Sequence, residues 1–139
     1  MKPRYLLDTN VLSEPLRPTP DHGVLAKIDR HGEALATSSV VWHELQFGAR
    51  RLPKGRRRTL IEAYLRDVVS PSIPVLPYDE EAAAWHASER ARLAPRGAPL
   101  PFADGQIAAT ARVNGLVLVT RNVTDFEPYD GLRVENWHS

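Results

Sequence analysis

Cysteine is absent from this 139-residue chain. That excludes disulfides, thiolate nucleophiles and cysteine-ligated zinc or iron–sulfur centres, and it fits a reducing compartment. A charge excess is missing too: 18 Lys and Arg face 17 Asp and Glu, a net +1. No overall field therefore marks the chain for nucleic acid or membrane, and any electrostatic role must come from local clustering. No apolar run approaches the roughly 20 residues of a membrane helix. The start M-K-P-R-Y-L-L-D is basic, but Asp8 breaks its apolar stretch too early for a signal peptide. The expectation is a cytoplasmic protein, mature as written. Repeats, low-complexity tracts and long linkers are also lacking. With 42% hydrophobic and 25% charged residues, residues 1–139 read as one ordinary globular domain with a real core.

Several chemistries lack their residues. His43-Glu44 begins an H-E-x-x-H zinc motif, but Phe47 stands where the second histidine belongs. No G-x-x-x-x-G-K-[ST] loop, G-x-G-x-x-G turn or G-x-S-x-G elbow occurs. An aspartyl-phosphate phosphatase needs a second acid two residues after Asp8, and Asn10 is there instead.

What is present centres on Pro99 to Phe126. Pro101 suits a first helical turn, Asn114-Gly115 a helix stop, and Leu116 to Val119 a strand covered on both faces. Asp104 shares an i, i+3, i+4, i+7 set with Ile107, Ala108 and Ala111, so a carboxylate lies on the helix's apolar face. Either it serves the helix macrodipole as a first-turn acid, or it meets other oxygen ligands at the mouth of a sheet.

The rest of the chain supplies such ligands. Tyr5-Leu6-Leu7 reads as a strand ending at Asp8-Thr9-Asn10, before a brief helix through Val11, Leu12 and Leu16. Asp8 is then a helix cap or, in a parallel sheet, a ligand beyond a carboxyl-terminal strand end. A helix follows from Pro20 to Arg30, then a strand at Ala34 to Thr37. Ser38 or Ser39 caps a helix from Val40 to Leu52, with Val41, Leu45, Gly48 and Leu52 as its stripe and Val40, Glu44 and Phe47 beside it. Glu44 is a snorkelling surface acid or a third ligand. Six of the 18 basic residues fall between Arg50 and Arg58, either as a solvated turn or as a site for phosphates or an acidic peptide. A helix from Thr59 to Val69 carries Leu60, Ile61, Tyr64, Leu65 and Val68. Prolines mark Ile73 to Leu76 as an edge or very short strand. A helix spans Glu80 to Leu93, where His86 reads as a packing or surface residue, and Leu132 to Glu135 is a last strand. The alternation predicts a three-layer α/β/α domain with a mainly parallel central sheet.

Acids at the ends of separate elements need a counter-charge, because mutual repulsion would otherwise protonate some of them. Mg²⁺ or Mn²⁺ with oxygen ligands supplies one, which points to metal-assisted phosphodiester hydrolysis. Metal-dependent phosphatase, DNA nuclease and a non-catalytic module binding RNA or a partner remain as alternatives.

L-L-D-T-N-V-L-S near the start, S-V-V-W-H-E-L in the middle, and P-F-A-D-G-Q-I-A-A-T-A with L-V-T-R-N-V-T-D-F near the end carry a family likeness. In order and spacing, from Tyr5 to about Phe126, they resemble PIN-domain ribonucleases, most closely the toxins of bacterial VapBC-type toxin–antitoxin pairs. The resemblance implies a PIN-like fold and a Mg²⁺- or Mn²⁺-dependent endoribonuclease that dimerises and is held inactive by an antitoxin. Asp8, Glu44 and Asp104 match the acidic triad, and Thr9 and Asn10 the polar residues behind its first member. Where the family often has a fourth acid, this chain has Asn122, with Asp125 three residues on; both are weaker candidate ligands. Arg50, Arg51, Arg56, Arg57, Arg58 and Arg121 join Thr9 and Asn10 as candidate contacts to substrate or partner.

Overall fold

Every residue of Tyr5–Leu7 is buried, with no polar face, and this strand (β1) is the middle of a parallel sheet. The computed structural model describes residues 2–97 and 99–139. On one side of β1 lies β2 (Leu35–Ser38), with Tyr5 opposite Leu35, and beyond it β3 (Val75–Leu76). On the other side lies β4 (Val117–Val119), with Leu7 opposite Val119, and then β5 (Val134–Glu135). The order is β3-β2-β1-β4-β5, and all pairs are parallel. The proline-flanked strand is at the sheet edge, where a missing N–H costs no ladder bond.

Strand succession runs outward from β1 to β3 and then restarts at β4 on the far side. The β1/β4 boundary is thus the topological switch point, and its crevice opens at the carboxyl ends of the strands. Each crossover carries helix, so both faces of the sheet are covered. The helices are α1 (Thr9–Leu12), α2 (His22–His31), α3 (Ser39–Arg50), α4 (Arg56–Tyr64), α5 (Ser70–Ser72), α6 (Glu80–Leu93), α7 (Phe102–Val113) and α8 (Val123–Phe126). Short polar side chains start several of them: Asp21, Ser38 and Asp79 each accept from the backbone N–H three residues on. Among the described residues no helix is long and apolar enough to cross a membrane.

Three local departures from the sequence expectations have physical causes. The helix expected through Val69 ends as a π turn, Leu65–Val69, leading into α5. The wider turn delivers the chain to Pro71, whose ring cannot sit against an α-helical carbonyl four residues back. Pro101 is the cap residue before α7 rather than a member of its first turn, because its extended ψ of 131° lies outside the helix. On α3 the buried stripe is Val41, Leu45 and Ala49, and Phe47 faces solvent at 58% exposure. Leu60 and Val68 are exposed as well.

Candidate active site

Asp8 follows the last residue of β1, and Thr120 the last residue of β4. Because Leu7 and Val119 are in register, these two polar residues leave the sheet side by side at the switch point. The Thr120 hydroxyl, fully buried, donates to Asp8 Oδ2 at 2.8 Å. The Thr9 N–H donates to Asp8 Oδ1 at 2.8 Å, so Asp8 also caps α1. The cap bond uses Oδ1 and the Thr120 bond Oδ2, so the helix-cap reading of Asp8 holds and each of its oxygens has one donor. The same Thr120 oxygen accepts from Asn10 Nδ2 at 3.4 Å and from the Asn122 N–H at 3.1 Å. Asn10 Oδ1 in turn accepts from the Arg121 N–H at 3.0 Å. Asn10 therefore ties the turn after β1 to the turn after β4, and Arg121 enters this network through its backbone.

Glu44 is brought in from α3. Its Oε2 accepts from the Thr9 hydroxyl at 2.6 Å, which fixes a half-buried carboxylate beside α1. Asp104 arrives in the first turn of α7, half-buried while Ile107, Ala108 and Ala111 pack inward. Burial raises its carboxyl to about 6, helped in order by the charges of Asp8, Asp125 and Glu44. Asp8 is raised as well, chiefly by burial and further by Glu44 and Asp125, against the lowering effect of its bonds from Thr120 and Thr9. Tyr129 is raised by burial, by the charge of Asp104 and by that of Glu89.

Four acids from four elements thus share one electrostatic neighbourhood. Asp125 belongs to it from the first turn of α8, where it is not the cap. The capping position is held by Asn122, whose side chain makes no capping bond. All the available donors are oxygens, which suits a hard divalent cation. Among the described residues no three carboxylate or imidazole groups are drawn together tightly enough to enclose an ion by themselves.

The basic run divides. Arg57 Nη1 donates to the Leu16 carbonyl at 3.1 Å, and Arg58 bonds Glu62 at 3.3 Å and the Leu52 carbonyl at 3.4 Å. Those two hold α4 against its neighbours. Arg50, Arg51 and Arg56 are exposed, and Arg51 lies over the Phe47 ring at 5.8 Å.

Two contributors are not among the residues singled out from sequence. Thr120 is signalled there only by a polar residue directly after a buried strand, a pattern shared with Asp8. Gly105 packs α7 against α6 so closely that a Cβ there would fall on His86 Nε2. His86 is buried, and its Nδ1 lies 2.8 Å from the Tyr78 hydroxyl, so it is a packing histidine. A glycine inside a helix is the available signal.

Comparison with known proteins agrees with this fold. The PIN domain family model matches residues 5–131. The VapC ribonuclease Y4jK of Sinorhizobium fredii is 40% identical over 125 residues, covering 88% of this chain and 89% of the relative. Toxin FitB of Neisseria gonorrhoeae is 36% identical over 136 residues, covering 96% and 98%. The crystal structure of FitAcB from Neisseria gonorrhoeae superposes with a TM-score of 0.88 at 37% identity, over 97% of this chain and 99% of the other. DNA-bound VapBC from Salmonella typhimurium gives 0.84 at 30%, over 97% and 98%. With a parallel sheet whose switch point gathers the acids, and a family match over nearly its whole length, this chain belongs to the PIN-domain family.

Proposed function

We propose that this chain is a divalent-metal-dependent endoribonuclease and the toxin of a toxin–antitoxin pair. It would act in the cytoplasm as a homodimer, on RNA, and be held inactive by a cognate antitoxin. Its relatives carry the names VapC ribonuclease, toxin FitB and tRNA(fMet)-specific endonuclease, and its structural relatives are FitAcB and DNA-bound VapBC complexes. The observation that carries the reading in this molecule is the switch point itself, where Thr120 and Thr9 fix the Asp8 and Glu44 carboxylates and where burial and the charges of Asp8, Asp125 and Glu44 raise the Asp104 carboxyl. Clustered negative charge at that cost is expected where a cation completes the site.

Asp8, Asp104 and Glu44 would hold Mg²⁺ or Mn²⁺, with Asp125 favoured over Asn122 as the fourth donor because its charge reaches both aspartates. When bound, such an ion supplies charge neutralisation at a phosphodiester and a more acidic water. The chain's own groups do the positioning. Thr120 and the Thr9 N–H orient Asp8, and the Thr9 hydroxyl orients Glu44. Arg50, Arg51 and Arg56 remain free to meet phosphates or antitoxin, and Arg57 and Arg58 can add their charge from their bonded positions.

The test places wild type and Asp104→Asn beside RNA, DNA and a small phosphate ester, each with Mn²⁺ and with chelator. Wild type is expected to cleave RNA only with the ion, and Asp104→Asn to lose cleavage at least a hundredfold (~10²). Preference for DNA or for the ester would replace ribonuclease with nuclease or phosphatase. RNA cleavage by the variant at the wild-type rate would remove the site assignment.

A further inference from the structure

One outer flank of α3 runs from a half-buried carboxylate of the site to an exposed ring and an exposed guanidinium. Glu44, Phe47 and Arg51 stand at i, i+3 and i+7, within about 60° of one another around the axis. Phe47 is 58% exposed, although its helix has a well-filled buried stripe on the other side. Its ring is flanked along the axis by His43, stacked at 6.3 Å and 27°, and by Arg51, with the guanidinium 5.8 Å from the ring centroid. Both flanking residues are exposed. At Arg50 this flank runs into the basic stretch, while its other end is Glu44, tied to the acid site through Thr9.

We propose that Phe47 is a stacking platform for a base of single-stranded RNA, next to the nucleotide whose phosphate lies among the acids. The proposal rests on the ribonuclease reading for the position of that phosphate. The helical rise puts Phe47 about 4.5 Å beyond Glu44 and Arg51 about 6 Å beyond Phe47, so carboxylate, ring and guanidinium follow one another along a single track. An unpaired base stacks on the ring by displacing the exposed His43 imidazole from it, and Arg51 can neutralise the phosphate that follows. Phenylalanine has no hydrogen-bonding group, so the platform accepts any base and leaves sequence choice to other contacts. The positive charge of Arg50, Arg51, Lys54 and Arg56, all exposed, complements the phosphates of a polyanion following the same track.

The experiment measures binding of a short, labelled, unstructured oligoribonucleotide by full-length Asp104→Asn, which cannot consume it, and cleavage kinetics in the otherwise wild-type chain. Phe47→Ala should weaken binding about tenfold and raise KM similarly with kcat nearly kept, whereas Phe47→Trp should bind at least as well as the parent. Leu60→Ala, which truncates an exposed apolar residue on α4, serves as the control and should leave RNA affinity unchanged. Unchanged RNA affinity in Phe47→Ala overturns the proposal. So does a selective loss of dimer or of antitoxin binding with RNA affinity intact, because the face is then a protein interface. Phe47-dependent binding without cleavage by wild type would sink the ribonuclease reading and keep the platform. Normal cleavage with Phe47-independent KM would do the reverse.

Discussion

At the scale of single residues, the site is a balance between burial, which expels charge, and hydrogen bonds, which hold it. Asp8 is buried yet receives two donors, Thr120 and the Thr9 N–H. Asp104 has no comparable support and is pushed up from 3.8 to about 6. Between those values the folded chain binds a proton that the unfolded chain has released. Asp104 therefore costs stability as pH rises through that window, and the cost persists above it. Asp104→Asn should melt higher than wild type at neutral pH in chelator, by on the order of 1 kcal/mol once solvent screening of a half-exposed group is allowed for. The gain should vanish near pH 4. Mn²⁺ should raise the melting temperature of wild type and do much less for the variant. Thermal scans across pH 4 to 7, with and without the ion, provide the check. A variant less stable than wild type at pH 7 in chelator would end the charge-crowding account.

At the scale of elements, the position of α7 decides where Asp104 stands, and α7 is seated on α6 through a glycine. Gly105 is buried next to Asp104, and His86 of α6 occupies the space a side chain would fill. Alanine is the better helix former by about 1 kcal/mol. Overpacking against a buried ring costs about 1–3 kcal/mol, so the clash should win. Gly105→Ala is expected to destabilise the fold by about 1–2 kcal/mol in urea unfolding. In a His86→Ala background the same change should become neutral or stabilising. If the penalty is the same in both backgrounds, His86 is not its cause. Cleavage should fall with Gly105→Ala even where the chain is folded, because α7 carries Asp104 away from Asp8 when it shifts.

At the scale of the whole molecule, residues 136–139 return across the amino-terminal third of the chain. Trp137 is buried edge-on to Tyr5 at 5.1 Å and stacked on His31 at 5.3 Å. Ser139 bonds the Asp21 carboxylate that caps α2. Glu14, buried in the turn after α1, accepts from the Asp21 N–H at 2.9 Å, pairs with Arg17 at 3.4 Å and lies 3.2 Å from His138 Nε2. The Asp21 N–H, then His138 and Arg17, hold the Glu14 carboxyl below its usual 4.5. Its contribution is thus present above that value and lost as pH falls below it. Glu14→Gln should destabilise the chain by about 1–3 kcal/mol at pH 7 and flatten the loss of stability in acid. Urea unfolding at pH 7 and pH 3 checks both halves. An equally steep acid limb in the variant would move that role to another carboxylate.

Signals that act within a few residues are legible along the chain itself. Glu80–Leu93 forms the helix its acidic start predicts, Ser38 caps α3, and the proline-bracketed Val75–Leu76 is an edge strand. Unbroken apolar runs identify buried parallel strands, and ordered motifs across the chain carry the PIN resemblance and its acidic triad. What joins those acids is long-range. The Thr120–Asp8 bond spans 112 positions and exists because β1 and β4 are adjacent and in register. Glu44 meets Thr9 across 35 positions because α3 crosses α1. The exposure of Phe47 likewise follows from which side of α3 the core fills, which periodicity leaves open between two neighbouring stripes. Caps, breaks and apolar runs are energies of neighbouring residues, so the sequence by itself determines them. Sheet register and helix crossings are set by packing between distant segments, so only the tertiary structure could decide which of this chain's acids share a field.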